Sequence, residues 1–184
     1  HLREDRRHMQ DEDLYDLKPL IQTKMNLELA PTEEMIQIAI DVMPEDVCMV
    51  PERREERTTE GGLDVKGHFD SIKKASDRLA KEGIRVSLFV APDITQIEKA
   101  VQMGVPVIEI HTGHYANLEA GQQRDKELVM IHEAINYARK SGLVVNAGHG
   151  LHYKNVQSIA AIQSIDELNI GHAIVSHALF VGWE

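Results

Sequence analysis

Short apolar runs rich in Val, Ile and Leu alternate with longer stretches of helical periodicity along nearly the whole chain. This alternation restricts the fold more than any single motif, because it is the sequence form of repeated βα units. Strands are expected at Met25–Ala30, Asp46–Val50, Arg85–Val90, Val107–His111, Leu143–Ala147 and Glu167–Ile170. Helices are expected near Asp11–Lys24, Thr32–Met43, Gly67–Glu82, Asp93–Met103, Gln122–Ser141 and Asn155–Ile162. In the fifth helix, Leu128, Ile131, Ile135 and Ala138 recur at steps of three and four, a stripe that can cover a sheet. Thr32 suits an N-cap, with Glu33 and Glu34 complementing the helix dipole. Gly83, Gly104 and Gly142 each stand one to three residues before a strand, where a helix must stop. Only 4% of residues are aromatic although 42% are hydrophobic, so the core is aliphatic, as parallel strands under helices require. A chain of 184 residues is expected to form one domain, 1–184.

Six strands in strict alternation with helices fit an open doubly wound sheet or part of a barrel, and the pattern alone does not choose. The polar residues favour the barrel. Glu28, Glu109 with His111, and Asn146 with His149 sit at or just beyond the C-terminal part of a strand, where barrel enzymes place catalytic groups. No Gly-x-Gly-x-x-Gly follows a strand, which weakens dinucleotide binding.

Several local groups could carry chemistry. Glu28, in an otherwise apolar strand, would if buried prefer to be neutral, which suits a general base; a Glu paired with a neighbouring Arg is the competing reading. His149 lies between two glycines after a strand, so the backbone can approach a ligand while the imidazole titrates near neutrality; a glycine turn holding a surface His is the alternative. Gly171-His172 follows the last strand and opens a helical run, whose N–H groups could hold a phosphate. Glu109-x-His111 projects two side chains to one side of a strand, as metal ligands would, but nothing else completes a metal site. Arg53, Arg54 and Arg57, with Thr58 to Gly62, form a long polar loop of the kind that serves as a lid, or else an exposed connector.

A formal net charge of −10 argues against nonspecific nucleic-acid or anionic-membrane binding. Residues 1–8, with three Arg and two His, run against this balance and could hold an anion, or else form a solvated charged end. The single cysteine, Cys48, excludes an intrachain disulfide, and no run approaches the ~20 apolar residues of a membrane span. A soluble, cytoplasmic protein is expected.

The segments His-Leu-Arg-Glu-Asp-Arg-Arg-His at 1–8, Asn-Leu-Glu at 26–28, Thr-Thr-Glu-Gly-Gly-Leu-Asp at 58–64, Glu-Ile-His-Thr-Gly at 109–113, Asn-Ala-Gly-His-Gly-Leu at 146–151 and Glu-Leu-Asn-Ile-Gly-His-Ala at 167–173 occur in this order. Together they resemble the pyridoxine 5'-phosphate synthase family over the whole chain. The resemblance implies an α/β fold, a (β/α)8 TIM barrel, here incomplete at the N-terminus (strand 1, helix 1 and most of strand 2 absent) and at the C-terminal helix. It implies condensation of 3-amino-2-oxopropyl phosphate with 1-deoxy-D-xylulose 5-phosphate to give pyridoxine 5'-phosphate, phosphate and water, with no cofactor and no metal. By resemblance His1 and Glu28 accept protons, His149 donates one, and Glu109 is a stabilising carboxylate. Arg3, His8 and Thr58 match positions that bind the deoxyxylulose phosphate, and Gly150, Gly171 and His172 match those around the aminooxopropyl phosphate. Expected partners are small phosphorylated substrates, with no nucleic acid and no membrane; the family forms homo-oligomers, up to octamers. The chain departs from the family in lacking an initial Asn-x-Asp-His strand, in stopping at Glu184 within the last helical layer, and in carrying His177 where Arg is expected. Two other readings remain: a catalytically inactive phosphate-ligand-binding barrel fragment, and a phosphosugar epimerase or aldolase, the last of which would need a lysine pointing into the barrel.

Overall fold

The computed structural model describes residues 1–59 and 61–183, so Glu60 of the Thr-Thr-Glu-Gly-Gly stretch and the terminal Glu184 lie outside the described residues. Six strands form a single parallel sheet, β1 (Asn26–Leu29), β2 (Asp46–Met49), β3 (Arg85–Val90), β4 (Val107–His111), β5 (Val144–Gly148) and β6 (Glu167–Asn169). They are laid side by side in chain order. A doubly wound sheet would reverse direction at a switch point. Here every crossover advances one strand the same way, and the sheet curls into a half-barrel.

The helices are α1 (Asp11–Leu17), α2 (Glu33–Val42), α3 (Phe69–Lys81), α4 (Ile94–Met103), α5 (Gly113–Asn117), α6 (Gln122–Lys140), α7 (Val156–Ala160) and α8 (His172–Val181), with a 3-10 turn at Arg54–Glu56. The helix expected over Asp11–Lys24 ends at Leu17; Lys18 is still helical and donates to Leu14 O, but Pro19 has no N–H to continue the ladder. The short α5 was not foreseen. Thr32 caps α2 as expected, accepting from Met35 N, and Gly83, Gly104 and Gly142 all take positive φ at the helix-to-strand turns.

Strand alternation divides the sheet into two unlike faces. Leu27, Leu29, Val47, Met49, Val86, Leu88, Val90, Ile108, Ile110, Val145 and Ala147 belong to one continuous core with residues of α2, α3, α4 and α6. The intervening residues, Glu28, Cys48, Ser87, Glu109, His111, Asn146, Glu167 and Asn169, occupy the other face and are mostly polar. At the N-terminal end of this polar face, Lys24 Nζ lies 3.1 Å from Asp46 Oδ2 and 2.7 Å from Glu167 Oε2, and Arg85 closes a two-pronged pair with Asp46. Lys24 stands two residues before β1 at one edge of the sheet and Glu167 belongs to β6 at the other. Their contact therefore measures the curl. Along the free edge of β1, Leu2 N donates to Glu28 O at 3.2 Å, which sets residues 1 and 2 beside the strand end. α8 packs differently from the other long helices. It buries none of its residues, and Leu179, Phe180 and Trp183 are open to solvent.

Candidate active site

The C-terminal ends of the strands surround a cavity of about 700 Å³. Its walls include His1, Arg3, Glu28, Glu109, His149, Gly150, Gly171 and His172, eight of the residues singled out from sequence. His8 is exposed and Thr58 half-buried, and neither is among the described residues lining the cavity. No lysine lines it among the described residues, so a Schiff-base aldolase has no candidate nucleophile there. Nor do three or more His, Cys, Asp or Glu side chains of the described residues gather in a way that could hold a metal ion.

The Glu-Ile-His-Thr-Gly segment ends β4, and each of its polar members has a distinct task. Glu109 points to the polar face and is 3% exposed. Asn169 Nδ2 donates to its Oε2 at 2.6 Å, and the Cys48 thiol lies 3.7 Å from the same oxygen. Burial, reinforced by the charge of Glu28, pushes the Glu109 carboxyl up to about 7, against the opposing hydrogen bonds from Asn169 and Cys48. The sequence left open whether Glu28 is buried, and the resemblance made Glu109 the stabilising carboxylate. Glu109 is the buried carboxyl, while the Glu28 side chain is 38% exposed and opens to the cavity. The physical reason is location: Glu109 is on an interior strand with neighbours on both sides, whereas Glu28 is on the edge strand.

Thr112, fully buried, holds the turn that follows β5. Its backbone N donates to Gly148 O at 2.8 Å, and its hydroxyl is shared between Gly148 O (2.7 Å) and His149 O (2.8 Å). His149 is thereby kept at φ 81°, an uncommon conformation for a residue with a side chain, and such strain gathers at functional sites. Gly148 is required for space: a Cβ there would lie 2.3 Å from Glu109 Oε1 and 2.9 Å from Asn169 O. The Gly148-His149-Gly150 turn thus makes room for the carboxylate as well as for a ligand.

His1 lies between two carboxylates. Its Nδ1 is 3.4 Å from Glu28 Oε2, and its Nε2 is 3.0 Å from Glu52 Oε1. Glu52, whose side chain is 4% exposed, also accepts from Glu4 N at 3.0 Å, tying residues 1–4 to the loop after β2. Glu52 was missed from sequence, although its position two residues past a strand's expected end was the available signal. In the same loop Gly62 packs flat on the end of β3, where a Cβ would come within 2.2 Å of Ala91 N, and Leu63 N donates to Phe89 O at 2.7 Å.

Comparison with known proteins places the chain in a family. The family model described as "Pyridoxal phosphate biosynthesis protein PdxJ" matches residues 1–184. Among solved structures, the Amycolatopsis orientalis BexX/CysO complex is similar with a TM-score of 0.61 at 18% identity, over 94% of this chain and 68% of that chain. A xylose isomerase domain protein from Planctomyces limnophilus is similar with a TM-score of 0.50 at 13% identity, over 89% of this chain and 72% of that chain. At such identities the two structures speak for the fold alone. The family match spans the whole chain, and the protein belongs to the PdxJ family of enzymes of pyridoxal phosphate, vitamin B6, biosynthesis.

Proposed function

We propose that this protein acts as a pyridoxine 5'-phosphate synthase, condensing 3-amino-2-oxopropyl phosphate with 1-deoxy-D-xylulose 5-phosphate and releasing phosphate and water. The observation that carries this reading is the convergence of His1, Glu28 and His149 on one cavity that also reaches Gly171 and His172 at the start of α8. Ring closure between an amine and carbonyl carbons needs repeated proton transfers, and the amine belongs to a substrate, so acid and base side chains suffice without a lysine imine. In this reading His1 and Glu28 accept protons and His149 returns one to a leaving oxygen. Glu109, with its carboxyl pushed up to about 7, exchanges a proton readily at neutral pH and stabilises charge when ionised. Arg3 and Arg57, which line the cavity, are suited to the phosphate of the sugar substrate, and the free N–H groups at Gly171, His172 and Ala173 to the other phosphate. The same reading makes the curled sheet part of a (β/α)8 barrel.

Inorganic phosphate release by the purified chain, supplied with both substrates and with each alone, tests the proposal. Release that needs both supports it. A folded protein that binds either phosphorylated compound yet releases nothing would instead be a ligand-binding barrel without this activity.

A further inference from the structure

His111 ends β4 on the same face as Glu109, and the reaction as outlined gives it no part. Its surroundings are built around an imidazole. Phe89 meets the ring edge-on, with centroids 5.0 Å apart and planes at 73°, and His149 stacks on it at 4.9 Å and 23°. Two glycines leave room for it: a Cβ on Gly61 would lie 3.3 Å from His111 Cε1, and one on Gly113 would lie 2.6 Å from the same atom and 2.8 Å from His149 Cδ2. Contacts of the second kind are too close for any real side chain, so Gly113 is needed for the stacked pair to exist.

We propose that His111 is a further substrate-contacting residue of this cavity, its Nε2–H donating to an oxygen of the bound substrate while its ring supports His149; this rests on the synthase reading above. The buried Nδ1 has no hydrogen-bond partner. A neutral imidazole carries one proton, and a desolvated N–H without an acceptor is rarer than a desolvated lone pair, so the proton belongs on Nε2, the nitrogen left for the cavity. The groups facing the ring are Phe89, His149, Arg57 and His114, none of which favours a positive charge on it. Burial first, then the charges of His149, Arg57 and His114, lower its pKa to about 4. His111 is therefore neutral at neutral pH, a donor through its Nε2–H that takes up no second proton. Two imidazolium rings at this distance would repel each other.

Three substitutions separate these roles. In the phosphate-release assay, His111→Phe keeps the ring and loses the donor, and His111→Asn places its amide nitrogen near the Nδ1 position. Both are expected to lower kcat roughly 100-fold, the effect of losing one aligned donor. His111→Gln sets an amide N–H near the Nε2 position and is expected to recover at least a tenth of wild-type kcat, about the worth of a restored donor. The companion measurement is nitrogen NMR of histidine-labelled wild-type protein: His111 is expected as the Nε2–H tautomer from pH 6 to 8, with its signal shifting when 1-deoxy-D-xylulose 5-phosphate binds. An active wild type with a His111→Phe variant within twofold of it, or with His111 as the Nδ1–H tautomer, overturns the proposal. If the wild type binds the phosphosugar but makes no product, the synthase reading fails while the NMR signal still decides whether His111 touches the ligand.

Discussion

The two ends of the sheet's polar face use the same residue types in opposite ways. At the N-terminal end, Asp46 and Glu167 meet Lys24 and Arg85, so each charge faces its opposite. At the C-terminal end, Glu109 faces Glu28, and His111 is stacked on His149. Burial would raise the Asp46 carboxyl, but the Arg85 and Lys24 hydrogen bonds outweigh it and leave its pKa lowered; at Glu109 burial and a like charge act together and raise it. Paired charges close the curled sheet and leave little for a ligand to do. Like charges brought together leave groups whose protons can be moved by a ligand, at some cost in stability.

The contrast breaks most visibly if Glu28→Gln keeps its turnover. We expect kcat to fall about 1000-fold, the range of a lost general base, with the thermal midpoint unchanged. The second largest effect concerns pH. The folded state holds the Glu109 proton up to about pH 7, whereas the unfolded chain releases it near 4.5, so between these values the folded state binds more protons. Stability from this group is therefore full at the acid side of the window and declines as pH rises through it, by on the order of 3 kcal/mol. Urea unfolding at pH 5 and pH 8 should show the decline, and Glu109→Gln should flatten it; a wild type more stable at pH 8 than at pH 5 by this margin would contradict the assignment. Asp46, with its pKa lowered, works in the other direction and loses its contribution only as pH falls through the carboxylate range.

Asp46→Ala sharpens the comparison from the other end. Removing a 5% exposed carboxylate that joins Lys24 to Arg85 is expected to cost about 2 kcal/mol, discounted because both partners reach solvent, while kcat stays within twofold. The smallest expected effect is that of Thr112→Val. Losing the hydroxyl that spans Gly148 O and His149 O should cost about 1 kcal/mol in unfolding free energy. It should also lower kcat severalfold by loosening His149, and a variant with lower stability but wild-type kcat would mean that the turn holds His149 without this bond.

The strands were legible because each is a short, largely apolar or alternating run between helical stretches, and this pattern located all of them to within a residue or two. Gly83, Gly104 and Gly142 marked the helix-to-strand turns for the same local reason. α1 was overextended because an apolar pattern continued past a proline that ends the helix. The candidate site was legible where a polar residue stood at or just beyond a strand end, as with Glu28, Glu109 and His149, and where a glycine opened a helix after a strand, as with Gly171. Glu52 was missed because its task depends on His1, far from it in sequence. The part His111 plays was not legible either, since it depends on glycines 61 and 113 and on two rings from other strands.

By itself, then, the amino-acid order determined a run of βα units with one apolar and one polar face, since alternation along a strand is a local property of the backbone. Which carboxyl is buried, which imidazoles stack and which charges are paired were decided only by the curl of the sheet. That curl brings Cys48, Glu109, Gly148 and Asn169 from four strands around one carboxylate, and sets Lys24 beside Glu167 from opposite edges. Burial and electrostatic environment are sums over neighbours distant in sequence, and no local pattern contains them.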